Sequence, residues 1–452
     1  MAGPSASKID AIFTEWDKPD SPGCTLAVVR DGEIIYKRGY GMADLEHNIP
    51  ITTKSIFYLG SVSKQFVAAC IALLEEQGKL SFADNIRKFV PEIPDYGDPI
   101  TIRHLIYHTS GLRDYLELWT YAGRNYMDSM LENEVLALIS RQKELNFPTG
   151  EQYMYCNSGY FLLALIVKRA SGQSLRDYAE TYIFKPLGMS STHFHDDNTM
   201  IVKNRADGHF TDDDGSFGLL TQRFALVGSG GLYSNVEDLY LWDQNFYLNK
   251  IGARRQKLID TILTCGKLNN GEKLVYAFGN IVGEYRGLRT VSHGGALGGY
   301  RTHLLRFPEQ NFSVIILCNL GDMQPGDLAE KVADFYLSGE MKPAETAIKN
   351  GGRKENTDSD GGDHAEIIDD IHEYPGEYYS DELRVTYTIY IEDDHPFVSI
   401  GYNPGINLET VEKNTFKGDG ISLLFDRNRN DEITGFTMNA GRVKNLKFIK
   451  KL

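Results

Sequence analysis

The chain has 452 residues, of which 42% are hydrophobic and 24% charged, and its formal net charge is −15 at pH 7. That length exceeds what one small core holds, so two or three domains are expected, and no apolar run is long enough to cross a bilayer. A surface this acidic repels a phosphate backbone, which argues against nucleic-acid binding.

The five cysteines, Cys24, Cys70, Cys156, Cys265 and Cys318, are odd in number and widely spread. They read as buried free thiols, not as a disulfide framework or a metal site. The opening MAGPSASKID has no charged stretch followed by an apolar one. No secretory signal is therefore expected, and a cytoplasmic location follows.

An amphipathic helix is expected over about residues 5–16, followed by GCTLAVVRDGEIIYKRGYG, where two β-rich runs flank the hairpin dipeptide Asp31–Gly32. A strongly apolar helix at 62–77 is stopped by Gly78, and residues from about 84 to 250 read as helical segments with loops. From about 273 the runs KLVYAFGNIVGEYRGLRTVSHGG and GYRTHLLRFPEQNFSVIILCN read as strands, with a turn at Pro308–Asn311 and a helix at about 325–338. Strands at both ends of a helical middle predict an α+β domain over 1–340. In it an antiparallel sheet is flanked by helices and joined by a helical subdomain. Residues 341–370 have linker composition. Residues 371–452 show short alternating runs parted by Asp, Asn and Gly, the pattern of a small all-β antiparallel barrel.

Three short stretches carry chemistry. In LGSVSKQF, Ser61 and Lys64 lie one helical turn apart at a helix N-terminus. A serine hydroxyl needs a base to become nucleophilic, a nearby amine can manage its proton, and free N–H groups at a helix start can hold an oxyanion. A helix cap and a surface lysine would give the same spacing. Ser-x-x-Lys also occurs at Ser5/Lys8 and Ser140/Lys143, without a following buried-looking helix. In GEQYMYCNSGYFLLALIV, Tyr155 and Asn157 fall just before an apolar helix, with Asn157 or Ser158 as its expected cap. A phenol there could take the serine proton, or simply pack. A second Tyr-x-Asn, Tyr247–Asn249, has no such setting. In TVSHGGALGGYR, His293 ends a strand-like run beside Gly294 and Gly295, and glycines in a strand mark close approach of another backbone or a ligand. The imidazole could hydrogen-bond the tyrosine or be structural.

Taken in order, Ser-x-x-Lys, Tyr-x-Asn and a His-x-Gly strand resemble the class C β-lactamase-like, penicillin-binding-protein-type serine hydrolases, which include D-aminopeptidases, D,D-peptidases and family VIII-type esterases. HTSGL (108–112), FPTGEQYMYCNSGY (147–160), FKPLGMSSTHF (184–194) and GSGGLYSNVEDLYLW (228–242) support the resemblance, which covers about residues 5–338. More loosely, GEYYSDEL and AGRVKNLKF resemble appended lipocalin-like barrels. The resemblance implies Ser61 as the acylated nucleophile, Lys64 as its proton-relay partner and Tyr155 as general base and acid. It implies that Asn157 contacts the substrate amide and Lys64, and that the Ser61 and Ala296 N–H groups form the oxyanion hole.

The departure from the family's Lys-Thr-Gly strand lies at His293 and Gly294, where one fixed charge and one donor for a β-lactam carboxylate are lost. The expected function is hydrolysis of a small ester, amide or D-amino-acid peptide through an acyl-enzyme. Two alternatives are a penicillin-binding sensor that acylates and stalls, and an acyltransferase on the same acyl-enzyme. No cofactor or metal is expected. The expected partner is a small molecule or short peptide, with no nucleic acid and no membrane span, and a homo-oligomer is left open. The barrel is expected to stabilise the fold or to limit substrate length, with Arg442 as the charge it would aim at the site.

Overall fold

The computed structural model describes residues 6–125, 127–220, 225–343, 370–400 and 404–451. The first hairpin turns at Asp31 and Gly32, whose φ values of 51° and 85° suit the tight turn that follows strand twist. It joins β1 (Cys24–Arg30) to β2 (Glu33–Tyr40). The other strands of this sheet come from far along the chain: β3 (Ile281–Tyr285), β4 (Leu288–Leu297), β5 (Tyr300–Phe307) and β6 (Phe312–Cys318). All six run antiparallel in the order β3-β4-β5-β6-β1-β2. The closing pair sets Cys24 opposite Cys318 and Arg30 opposite Phe312. The expected mixing of N- and C-terminal strands is what forms. The strand expected from 273 begins only at Ile281, because the preceding residues fold back: Ala277 N–H donates to the Asn280 carbonyl at 2.7 Å and Gly279 sits at φ 67°.

Five helices frame the sheet and the site: α1 (Ala6–Phe13), α2 (Ser63–Glu76), α3 (Asn157–Ser171), α4 (Val236–Leu248) and α5 (Pro325–Leu337). One face of the sheet buries Leu26, Val28, Val314 and Ile316 with Ile9 and Phe13 of α1 and Val332 of α5. Side chains alternate along a strand, so Arg306 and Ser313 point the other way. There both meet Asp243 of α4, which accepts from Arg306 Nε at 2.7 Å and from Ser313 Oγ at 2.8 Å. Helix α2 is buried from Ser63 through Leu74. A helix apolar on all sides belongs inside a domain, and this one carries the site through the interior.

The chain divides into two compact units, the first made of Met1–Gly111, Met127–Leu136 and Phe147–Met341 and the second of Leu112–Tyr126, Ala137–Asn146 and Lys342–Leu452. The second unit is built on a nine-stranded antiparallel sheet, a nearly closed barrel. Its two edge strands, Ile406–Asn407 and Glu409–Glu412, are almost consecutive in the chain, and a Cβ on Gly418 would lie 2.0 Å from the Asn407 carbonyl oxygen. Aromatic rings fill the interior, with Tyr387 and Phe436 both against Phe448 at centroid distances of 4.4 and 4.6 Å.

The same unit buries Arg113, whose guanidinium reaches Glu382 at 2.6 Å, Gln142 Oε1 at 2.8 Å, and the Lys444 and Asn445 carbonyls at 2.9 Å each. Of the polar stretch at 341–370, residues 344–369 lie outside the described residues. All five cysteines are free thiols, four of them buried and Cys265 half-buried. Among the described residues, no helix is long and apolar enough to cross a membrane.

Candidate active site

Ser61 lies in a single 3-10 turn, Gly60–Val62, that leads into α2. Two glycines let β4 press against this turn. A Cβ on Gly60, which sits at φ 53°, would lie 2.6 Å from the Ala296 nitrogen, and one on Gly295 would lie 2.0 Å from the Leu59 carbonyl oxygen. Thr302 Oγ1 donates to that same Leu59 oxygen at 2.8 Å and pins the contact. The Ala296 N–H is thereby set beside the turn that carries Ser61, with Ser61 half-buried and Ala296 exposed.

Lys64 is fully buried. Its Nζ donates to Ser61 Oγ at 3.0 Å, to Asn157 Oδ1 at 2.9 Å and to the Ser229 carbonyl at 2.6 Å. Two of these partners are carbonyl oxygens, which only accept, whereas a hydroxyl can accept or donate. An ammonium satisfies all three. A neutral amine does so equally, by donating to the two carbonyls and accepting from the Ser61 hydroxyl. The serine proton can therefore pass to nitrogen without movement of a heavy atom. The Nζ also lies 4.8 Å from the Tyr155 ring centroid and 5.6 Å from that of Tyr160, where the ring faces favour a cation.

Asn157 is the first residue of α3, and Cys156 before it is the cap, with no side-chain capping bond. The cap expected of Asn157 is thus not made; its amide oxygen is spent on Lys64 instead. The third acceptor, Ser229, belongs to a loop bent by Gly228 and Gly231 at φ 125° and 93°. The loop is held by Leu232 N–H on Ser63 Oγ (3.1 Å) and Gly231 N–H on Tyr58 Oη (3.2 Å).

His293 is buried at the far end of the group. Its Nδ1 lies 2.6 Å from the Gly294 carbonyl and its Nε2 lies 3.0 Å from Tyr276 Oη. A carbonyl can only accept, so Nδ1 carries the proton and Nε2 receives the Tyr276 hydroxyl. The hydrogen bond expected to Tyr155 goes to Tyr276; the Tyr155 and His293 ring centroids are 6.2 Å apart. Burial, and then the nearby Lys64 charge, lower the imidazole pKa to about 3. Burial raises Tyr276 well above its usual range, which keeps it a phenol donor.

The structure thus gathers Ser61, Lys64, Tyr155, Asn157 and the strand His293–Ala296 in the first unit. Gly294 makes only ordinary contacts: a Cβ there would lie 3.4 Å from His303 Nδ1. In the second unit, the Arg442 guanidinium is engaged by Glu117 at 2.6 Å and Asp114 at 3.1 Å. Of the competing motifs, Lys143 pairs with Asp381 at 2.8 Å, and Asn249 is the left-handed cap that ends α4. The contributions of the Ser229 carbonyl and Tyr276 were missed in the sequence; the glycines of GSGG were the available signal for the first. Among the described residues, one cluster could hold a metal ion, the surface group Asp44, Glu46 and His47 on a single short loop, and it shares no residue with this site.

The family described as Beta-lactamase matches residues 9–336, about three quarters of the chain. The chain belongs to the beta-lactamase family. It is similar to penicillin-binding protein 4* of Bacillus subtilis (strain 168), with 32% identity over 334 residues that cover 70% of this chain and 72% of that protein. It is also similar to the D-aminopeptidase of Brucella anthropi, with 29% identity over 303 residues, 66% of this chain. This chain spans 56% of the length of that D-aminopeptidase. The octameric penicillin-binding protein homologue from Pyrococcus abyssi has the same fold, with a TM-score of 0.67 at 23% identity over 99% of this chain and 100% of that one. In this chain the six-stranded sheet and its helices carry Ser61 in the turn that leads into the buried helix α2.

Proposed function

We propose that this beta-lactamase-family protein is a serine hydrolase that cleaves a small ester, amide or D-amino-acid peptide through an acyl-enzyme on Ser61. The observation that carries the reading is the environment of Lys64, a buried nitrogen that meets the Ser61 hydroxyl and two carbonyl oxygens, acceptors that suit both of its protonation states. Ser61 Oγ bonds to the substrate carbonyl carbon as its proton leaves along the 3.0 Å contact to Lys64. The oxyanion forms against the Ser61 and Ala296 N–H groups. Tyr155, whose ring centroid lies 4.8 Å from Lys64 Nζ, protonates the departing oxygen or nitrogen as the carbon–leaving-group bond breaks, and the proton that Lys64 took from Ser61 replaces the one it gives up. Water then attacks the acyl carbon, its proton returns to the relay, and Ser61 is released.

The neutral His293 supports substrates without a carboxylate at that position. An imidazole with a pKa of about 3 carries no charge near neutrality, and both its nitrogens are occupied. The D-aminopeptidase relative supports amide bonds of D-residues as the first class to assay. The test is turnover of p-nitrophenyl esters and D-aminoacyl anilides by the wild type and by Ser61→Ala, with mass spectrometry of the quenched reaction. The expected result is an acyl adduct on the Ser61 peptide and its loss, together with turnover, in the variant. Unchanged turnover by Ser61→Ala would sink the proposal.

A further inference from the structure

We propose that His108 is a positioning residue for Tyr155, an inference that rests on the proton-transfer reading of that tyrosine. His108 is buried and sits at φ 59°, a left-handed conformation that few residues other than glycine adopt. Two hydrogen bonds leave it for the chain on either side of Tyr155. Its carbonyl accepts from Met154 N–H at 2.9 Å, and its Nδ1 accepts from Cys156 N–H at 3.0 Å. A backbone N–H can only donate, so Nδ1 is bare and the ring proton is on Nε2. The imidazole also lies against the phenol, with centroids 4.3 Å apart.

A twist that would normally be avoided lets one residue offer a main-chain and a side-chain acceptor to the same strand of chain. Strain of this kind persists where the surroundings over-determine it, often beside reacting groups. The clasp continues through Gly150 N–H on the Thr109 carbonyl at 2.8 Å. The segment entering α3 is thereby fixed to the 108–109 backbone, which sets where the phenol stands relative to Lys64.

Two substitutions separate positioning from core filling. His108→Asn tolerates the left-handed backbone and sets an amide oxygen near the place of Nδ1, whereas His108→Gly keeps the backbone freedom and removes the acceptor. The measurements are kcat and KM for a p-nitrophenyl ester, with thermal melting of each variant. For His108→Gly, kcat falls about 10- to 100-fold with KM nearly unchanged, and His108→Asn stays within about tenfold of the wild type and above the glycine variant.

A folded His108→Gly variant with wild-type kcat overturns the proposal, as does a folded asparagine variant no faster than the glycine one. If the glycine variant does not fold, the asparagine variant decides alone: folded with kcat down more than about tenfold, it refutes positioning through Nδ1. Tyr155→Phe, assayed in parallel, separates the two ideas. Wild-type kcat there removes the reading of Tyr155 itself, whereas a slow Tyr155→Phe beside unaffected His108 variants removes only the role of His108.

Discussion

Replacing Lys64 by methionine keeps an unbranched apolar stem, one heavy atom shorter, and removes the charge and the donors. Three hydrogen bonds from a charged group, at roughly 1.5–3 kcal/mol each, would together stabilise the fold by about 5–9 kcal/mol if nothing opposed them. Taking the ammonium out of water opposes them by several kcal/mol, because the group is fully buried. The net stability change for Lys64→Met is therefore small, within about 3 kcal/mol in either direction. Activity behaves differently, since removing a positioned proton acceptor slows acylation by about 10²- to 10⁴-fold. Burst kinetics with a p-nitrophenyl ester measure the acylation rate, and urea titration of the same preparation measures stability. A folded Lys64→Met variant that acylates within about tenfold of the wild type would refute the assignment of Lys64 to the proton path.

Two further outcomes follow from buried groups. Glu382→Ala removes the carboxylate that pairs with the Arg113 guanidinium, 0% of whose side chain is exposed, and is expected to lower stability by about 3–5 kcal/mol; a urea midpoint close to wild type would reject the ion pair as a structural element. Burial lowers His293 to about 3 and His303 to about 4, below the usual 6.5, so the unfolded chain binds these protons first. Stability is then fully present above about pH 6.5 and declines as pH falls toward 4, and His303→Gln should flatten that decline by up to about 1.4 kcal/mol per pH unit in pH-dependent urea titrations. An unchanged slope would show that His303 is not the neutral buried group described.

Much of this architecture was legible because its signals are local. Asp31–Gly32 between β-rich runs specifies a hairpin, and the alternating strands at both ends specify a sheet. Ser61 and Lys64 are neighbours through helical spacing alone, whatever the tertiary fold. What escaped was contact between distant segments made by groups without a residue signature. The Ser229 carbonyl holds Lys64 through an atom every residue possesses. Asn157 has the residue type of a cap, yet Lys64 competes successfully for its oxygen. The apolar run at 273–280 looks like a strand, but a Cβ on Gly279 would lie 2.6 Å from the Lys64 carbonyl oxygen, so the chain there bends to pass over α2. In the second unit, Arg113 and Glu382 meet although they are far apart in the chain, which no reading of contiguous segments reveals.

The seating of β1 against β6 has a consequence for how this protein comes off the ribosome. The hairpin of β1 and β2 emerges early but keeps an open edge until Phe312–Cys318 has been synthesised. Strand β4, which faces Ser61, also comes late. Pairings across such separations form slowly and leave apolar edges exposed meanwhile. A nascent or prematurely terminated chain that already contains Ser61 and Lys64 still lacks the strand that packs against their turn, and its demand for chaperones should be greatest just before β6 arrives.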